Sequence, residues 1–161
     1  MFKKILYGLF CSITIFNVSY ADDSQFGSLG LSTYGDKNSP ALTFNGQLIE
    51  PYVLGNQSLD LIQVIHHENE DIAIIKSTGE SFCPALYNIV SITQEKITPT
   101  NFFGSCSDEA EISEDQNGDV IIKTKNLHED GESIYTYNNG KMTENGNNMS
   151  TQCADNKCEG F

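Results

Sequence analysis

His66, His67 and Glu68 form the densest group of metal-ligating side chains in the sequence, and Glu70 and Asp71 follow closely. Imidazole and carboxylate groups are ligands that zinc takes in proteins. Neighbouring residues of a β-strand point to opposite faces of the sheet, so both histidines can reach one metal ion only where a strand ends. The segment therefore indicates either a metal site at a strand end or a solvated acidic turn.

A second group of oxygen ligands, Asp115, Asn117 and Asp119, resembles part of a calcium-binding loop. Such a loop needs a glycine at its sixth position and a bidentate glutamate at its twelfth. Here Gly118 is the fourth residue and Val120 the sixth, and an Asn-Gly pair is typical of a β-hairpin turn. Calcium and a plain hairpin remain as alternatives, and no other cofactor is predicted.

The serines and the cysteine of Gly104-Ser105-Cys106-Ser107-Asp108 are the nucleophile candidates. The segment lacks the Gly-x-Ser-x-Gly pattern that exposes a catalytic serine between a strand and a helix. His128 is a distant candidate base that nothing in the sequence orients, and His66 is a second candidate. The expectation is a protein that is not an enzyme, with an envelope hydrolase kept as an alternative.

Cysteines give the strongest structural signal. Four follow the amino-terminal segment, Cys83, Cys106, Cys153 and Cys158, and an even number in an exported chain indicates two disulfides. Three pairings are open, of which Cys83–Cys106 with Cys153–Cys158 needs no long-range assumption. On a loop-entropy model the first would contribute about 3 kcal/mol and the second about 2 kcal/mol. A zinc–thiolate site is disfavoured because neither pair has Cys-x-x-Cys spacing.

Residues 1–21 have the features of a secretory signal peptide. Lys3 and Lys4 precede an apolar run over 5–18, and Ser19-Tyr20-Ala21 offers small residues at the cleavage site. An uncleaved anchor is the alternative, although the apolar run is short for a span of about 20 residues. The expected location is periplasmic or secreted, and the mature chain is expected to leave the membrane after cleavage.

The charge balance limits the classes of partner. Without the two lysines of the signal segment, 7 lysines remain against 22 acidic residues, which gives the mature chain a net charge of −15. Nucleic acids and anionic membranes are recognised by cationic side chains, so both are excluded as partners. A cationic protein is favoured electrostatically, because opposite charges accelerate encounter. High solubility is the other explanation of the acidity.

Turn signals at short spacing predict the fold class. Asn45-Gly46, Asn117-Gly118 and Asn139-Gly140 separate short apolar runs, and Asn-Gly pairs favour two-residue hairpins. The run over 72–77 is continuously apolar at its start, which predicts a strand buried on both faces. The expectation is an all-β protein, an antiparallel sandwich or a small barrel or meander with two disulfides. Its parts would be a flexible lead-in over 22–40, a β domain over 41–145 and a disulfide-looped tail over 146–161.

The segment 79–108 also carries a pattern of its own. Cys83-Pro84-Ala85-Leu86-Tyr87 follows Gly79, and Phe103-Gly104-Ser105-Cys106-Ser107-Asp108 closes the segment. This pattern resembles that of a group of small exported bacterial proteins of unassigned function, with a weaker echo over 135–145. The resemblance implies an extracytoplasmic bacterial β protein, and it supplies no catalytic residues.

Together these features predict a non-enzymatic exported binding protein. The specific expectation is an acidic inhibitor or immunity-type protein that binds a cationic protein in the bacterial envelope. The alternative is a ligand- or calcium-binding β module.

Overall fold

The computed structural model describes residues 23–127 and 129–160, which form strands, turns and no helix. The predicted all-β class is confirmed, while the predicted signal peptide lies outside the described residues. In chain order the strands are β1 (Leu29–Tyr34), β2 (Ser39–Phe44), β3 (Gln47–Leu48), β4 (Tyr52–Leu54), β5 (Ser58–His66), β6 (Asp71–Thr78), β7 (Ala85–Ile92), β8 (Ile97–Pro99), β9 (Ala110–Glu114), β10 (Val120–Lys125), β11 (Glu132–Asn138), β12 (Lys141–Glu144), β13 (Asn147–Met149) and β14 (Lys157–Glu159).

The strands belong to three sheets. The amino-terminal sheet has the order β1-β2-β4-β14, with β3 also paired to β2. The central sheet has the order β5-β6-β7-β8, and the carboxy-terminal sheet is the meander β13-β12-β11-β10-β9. All pairs are antiparallel except β14 with β4, which run parallel. β5 contains a bulge between Leu61 and Gln63.

The central sheet is buried on both faces. Ala73 and Ile75 pack into a first core shared with the amino-terminal sheet, whereas Ile72 and Ile74 pack into a second core shared with the carboxy-terminal sheet. Successive residues of a strand alternate between faces, so a strand covered on both sides needs apolar residues without interruption. The prediction for 72–77 is thus confirmed, and its consequence is a stack of three sheets with two cores.

The predicted boundaries of the lead-in and the tail are wrong. Residues 22–40 were expected to be irregular, yet β1 pairs with β2 over its whole length and buries Leu29. In the expected tail, Asn145-Gly146 turns β12 into β13, with positive φ at both residues. Cys158 is fully buried in the first core, on β14. The tail therefore belongs to the body of the protein, because its strands complete two of the sheets.

Both expected disulfides are present. Cys83 is bonded to Cys106, with a Cα–Cα distance of 4.5 Å, and Cys153 to Cys158, with 4.7 Å. The first joins the segment before β7 to the segment before β9, and the second closes the turn that leads into β14. Disulfides persist in oxidising compartments outside the cytoplasm. Within residues 23–127 and 129–160, no helix is long and apolar enough to cross a membrane.

Candidate functional site

Three turns converge on a polar cleft at one end of the molecule. They are the β5–β6, β9–β10 and β11–β12 turns, and the cleft between them has a volume of about 250 Å³. Its lining combines carboxylate, imidazole, amide and phenol groups; we call it the loop cleft, and its polar residues include His67, Glu70, Glu114, Asn117, Tyr137 and Asn138. Several polar groups converging in one concave site are typical of binding sites.

His67 connects two of these turns. Its Nε2 atom lies 3.3 Å from Oε1 of Glu114. That nitrogen is buried and has no hydrogen bond of good geometry, so the contact with Glu114 is electrostatic. The backbone N–H of His67 donates to the carbonyl of Glu70 over 2.8 Å, which closes the β5–β6 turn. His67 is therefore held beside a carboxylate in the lining of the cleft.

Glu70 also lines the cleft. Its carboxylate accepts a hydrogen bond from the hydroxyl of Ser91 on β7. Burial raises the pKa of the nearby Tyr137 phenol, and the negative charge of Glu70 raises it further. Tyr137 therefore remains a neutral phenol at physiological pH.

The predicted calcium segment folds as a hairpin. Asp115 accepts the backbone N–H groups of Asn117, over 2.8 Å, and of Asp119, over 2.9 Å. These bonds, the one from Asp119 first, lower the pKa of the Asp115 carboxyl. Asp119 accepts a hydrogen bond from the amide of Asn138. Both carboxylates thus bind groups of the protein itself.

The six candidate metal ligands do not form one group. His66 and His67 diverge, since His66 contacts Asp71 and His67 contacts Glu114. Glu68 is exposed in the turn after them. The three candidates of the β9–β10 turn are Asp115, Asn117 and Asp119, of which Asn117 lines the loop cleft with His67. Within residues 23–127 and 129–160, no three His, Cys, Asp or Glu residues are grouped so that they could hold a metal ion.

Asp71, beneath the β5–β6 turn, is a buried carboxylate that the sequence analysis did not single out as a structural residue. One of its oxygens accepts the hydroxyl of Ser24 and the backbone N–H of Gln25, both over 2.6 Å. The other accepts Nε2 of Gln25 over 2.8 Å and lies 2.9 Å from Nδ1 of His66. Asp71 therefore fastens the first described residues to the central sheet.

Burial alone would raise the pKa of the Asp71 carboxyl, but the hydrogen bonds from Ser24, His66 and Gln25 outweigh it and lower the pKa below its ordinary 3.8. A carboxyl with a lowered pKa in the folded state stabilises the protein above its unfolded pKa. That stabilisation is lost as the pH falls through the folded-state value.

Replacement of Asp71 with Asn should therefore destabilise the protein in a pH-dependent way. The new amide N–H₂ would face hydrogen-bond donors. We therefore expect the free energy of unfolding to fall by about 1–3 kcal/mol at neutral pH. Urea unfolding at neutral pH and below pH 3.8 measures it. The difference in unfolding free energy between wild type and variant should shrink at the acidic pH. Asp60→Asn, on an exposed residue, is the control. An equal gap at both pH values would contradict the role assigned to this carboxylate.

The hydroxyls of the predicted nucleophile segment have structural partners. Ser105 Oγ donates to the carbonyl of Lys125 over 2.7 Å, and Ser107 Oγ to the carbonyl of Glu109 over 3.1 Å. Cys106 is held in its disulfide and has no free thiol. The candidate base His128 lies outside the described residues.

Comparison with known proteins supplies no relative from which a function could be transferred: no protein-family model matches the chain, and no curated protein or solved structure shows a significant match. The resemblance of the segment 79–108 to exported bacterial proteins therefore stays a prediction, and a functional argument has to rest on the site and on the surface charge.

Proposed function

We propose that this chain is a non-enzymatic exported bacterial protein that binds a cationic protein in the envelope, as an inhibitor or an immunity-type protein does. The observation that carries the proposal is a surface on which carboxylates greatly outnumber cations. Among the described residues there are four ion pairs, and two of them use a histidine. The lysine pairs, Lys125–Glu109 at 3.5 Å and Lys157–Glu159 at 3.8 Å, are solvent-exposed.

The loop end concentrates this charge. It comprises the turns around the loop cleft and the β7–β8 turn, which lies beside the β5–β6 turn because Ile92 pairs with Asp71. The acidic residues of the loop end whose side chains reach its surface or the cleft are Glu68, Glu70, Glu95, Glu114, Asp115 and Asp119. Lys96 and Lys141 are exposed cations at these turns, but the acidic residues outnumber them. Such an excess of one sign raises the association rate of an oppositely charged partner and makes that rate sensitive to salt. The proposed location, periplasmic or secreted, would bring the protein to such partners.

The test uses the mature chain and a purified lysozyme as a defined cationic cell-wall hydrolase, together with an envelope extract. We expect association that slows markedly as ionic strength rises. The triple variant Glu68→Lys, Glu95→Lys and Glu114→Lys should lower the association rate constant about tenfold or more. The matched triple Asp36→Lys, Glu80→Lys and Glu129→Lys changes the net charge equally at exposed sites elsewhere.

Two results would count against the proposal. One is the recovery of nothing but nonspecific proteins from the extract at low salt. The other is an equal effect of the two triples, which would show that the charge of the loop end has no special part in binding.

A small-ligand or calcium-binding module is the second candidate, and the loop cleft favours it because Glu70 and Glu114 line the same cavity. Calorimetric titration with calcium chloride tests it. Heat of binding with a rise in melting temperature supports this candidate, and the absence of both eliminates calcium as the ligand.

A further inference from the structure

The outer edge of β1 has none of the usual protection of an edge strand. β1 pairs with β2 on one side, and within residues 23–127 and 129–160 no strand pairs with its other side. Its sequence, LGLSTY, contains neither a charged residue nor a proline. Such an edge presents unpaired backbone N–H and C=O groups and is a template for a further strand.

The other sheet edges are protected. β5 is interrupted by the bulge between Leu61 and Gln63, and β8 is short and ends in Pro99. β9 carries Glu111 and Glu114, while β13 and β14 have three residues each. Charges, prolines, bulges and short length are the means by which natural sheets avoid edge-to-edge pairing. Their absence in β1 therefore distinguishes it from the other edges of the described chain.

An apolar groove lies beside this edge, between β1 and β5. It has a volume of about 400 Å³, and Leu29, Leu31, Leu42, Leu59 and Leu61 line it. Leu42 and Leu59 belong to the first core and are 2% exposed, whereas Leu31, at the mouth, is 56% exposed. A strand added to β1 would extend the amino-terminal sheet over this groove. Every second side chain of the added strand would then point into it.

We infer that the edge of β1 is a docking site for an extended segment of the partner, in which aliphatic residues alternate with lysine or arginine. This inference rests on the proposed function and specifies how the cationic partner is held. The backbone would pair with β1 and the aliphatic side chains would fill the leucine groove. The cationic side chains, on the opposite face of the added strand, would be attracted by the net negative charge of the protein. Strand addition of this kind combines main-chain affinity with side-chain selectivity.

Charge decides between this occupant and a second copy of the chain. Two mature copies would each bring a net charge of −15 to the contact. β1 itself has no cationic residue to offset the repulsion, and the one charged residue that lines the groove is Asp60, an acid. A cationic segment meets the same surface with attraction instead of repulsion.

The test uses a fluorescent, end-blocked peptide that alternates valine and lysine. We expect it to bind the mature protein and to slow amide hydrogen exchange in residues 29–34. A peptide that alternates valine and glutamate should not bind. A valine–lysine peptide N-methylated at alternate residues keeps its charge but loses backbone donors, and it too should fail to bind.

Variants of the protein complete the test. Leu31→Ser removes the apolar mouth of the groove without changing the charge, and it should weaken binding about tenfold. Ile134→Ser is the matched control, because Ile134 is 39% exposed on the carboxy-terminal sheet and should leave the affinity unchanged. Unchanged melting temperatures would show that both variants fold.

Two outcomes would overturn the inference. In the first, the methylated and unmethylated peptides bind equally well and Leu31→Ser does not change their affinity. The partner could then still be cationic, but the edge of β1 would not be its binding site. Sedimentation showing a wild-type dimer that Leu31→Ser converts to monomer would assign the edge to a second copy. Failure of the lysozyme and extract assays, with the peptide still bound at β1, would instead remove the inhibitor role.

Discussion

Ile74→Ala and Ile75→Ala should each destabilise the protein by about 2–5 kcal/mol, although the two residues are neighbours on one strand. Both are fully buried, Ile74 in the second core and Ile75 in the first. In a sheet with one solvated face, one of two neighbours would be exposed and its truncation would cost little. Equal sensitivity is therefore the energetic sign of a sheet covered on both sides.

Urea unfolding followed by circular dichroism measures both variants against Ile62→Ala. Ile62, on β5, is 41% exposed, so its truncation should change the stability far less. If either Ile74→Ala or Ile75→Ala behaved like Ile62→Ala, one of the two cores would not be closed as described.

Cys83→Ser should cost about 2–5 kcal/mol under oxidising conditions, and Cys106→Ser a similar amount. The bond spans 23 residues, which include β7 and β8 of the central sheet, so its loss releases a long loop in the unfolded chain. Thermal unfolding of the oxidised proteins measures the effect. A melting temperature equal to that of wild type would show that this bond does not stabilise the fold.

Cys153→Ser provides a graded comparison. Its bond spans 5 residues, for which loop entropy gives about 2 kcal/mol. From the sequence alone, this disulfide is expected to close a loop in a peripheral tail. Cys158 is fully buried in the first core. The loss of this bond should therefore destabilise the amino-terminal sheet and not only the segment between the two cysteines.

Local signals in the sequence predicted the elements well. Asn45-Gly46 and Asn139-Gly140 form the expected turns with positive φ, and 72–77 is the doubly buried strand that its apolar run indicates. Asn145-Gly146 carries the same turn signal, but the residues after it are polar and do not indicate a strand. β13 is a short outer strand with two exposed residues, so an apolar pattern could not reveal it.

No local sequence pattern indicates how the three sheets pack against one another. His67 and Asn117 were found separately, but their meeting in the loop cleft depends on how the central and carboxy-terminal sheets stack. Glu70 belongs to an acidic turn that is visible in the sequence, but no local pattern connects it with Glu114 and Tyr137, which line the same cleft. The parallel pairing of β14 with β4 joins residues about a hundred positions apart, and no local pattern indicates it.

That pairing bears on the order in which the molecule can mature. A chain that leaves a ribosome or a translocation channel amino terminus first delivers β1, β2 and β4 early and β14 last. Cys158 is one of the eleven buried residues of the first core, so this core is incomplete until β14 has emerged. A product truncated before β14 would therefore leave one side of β4 unpaired and a gap in the first core.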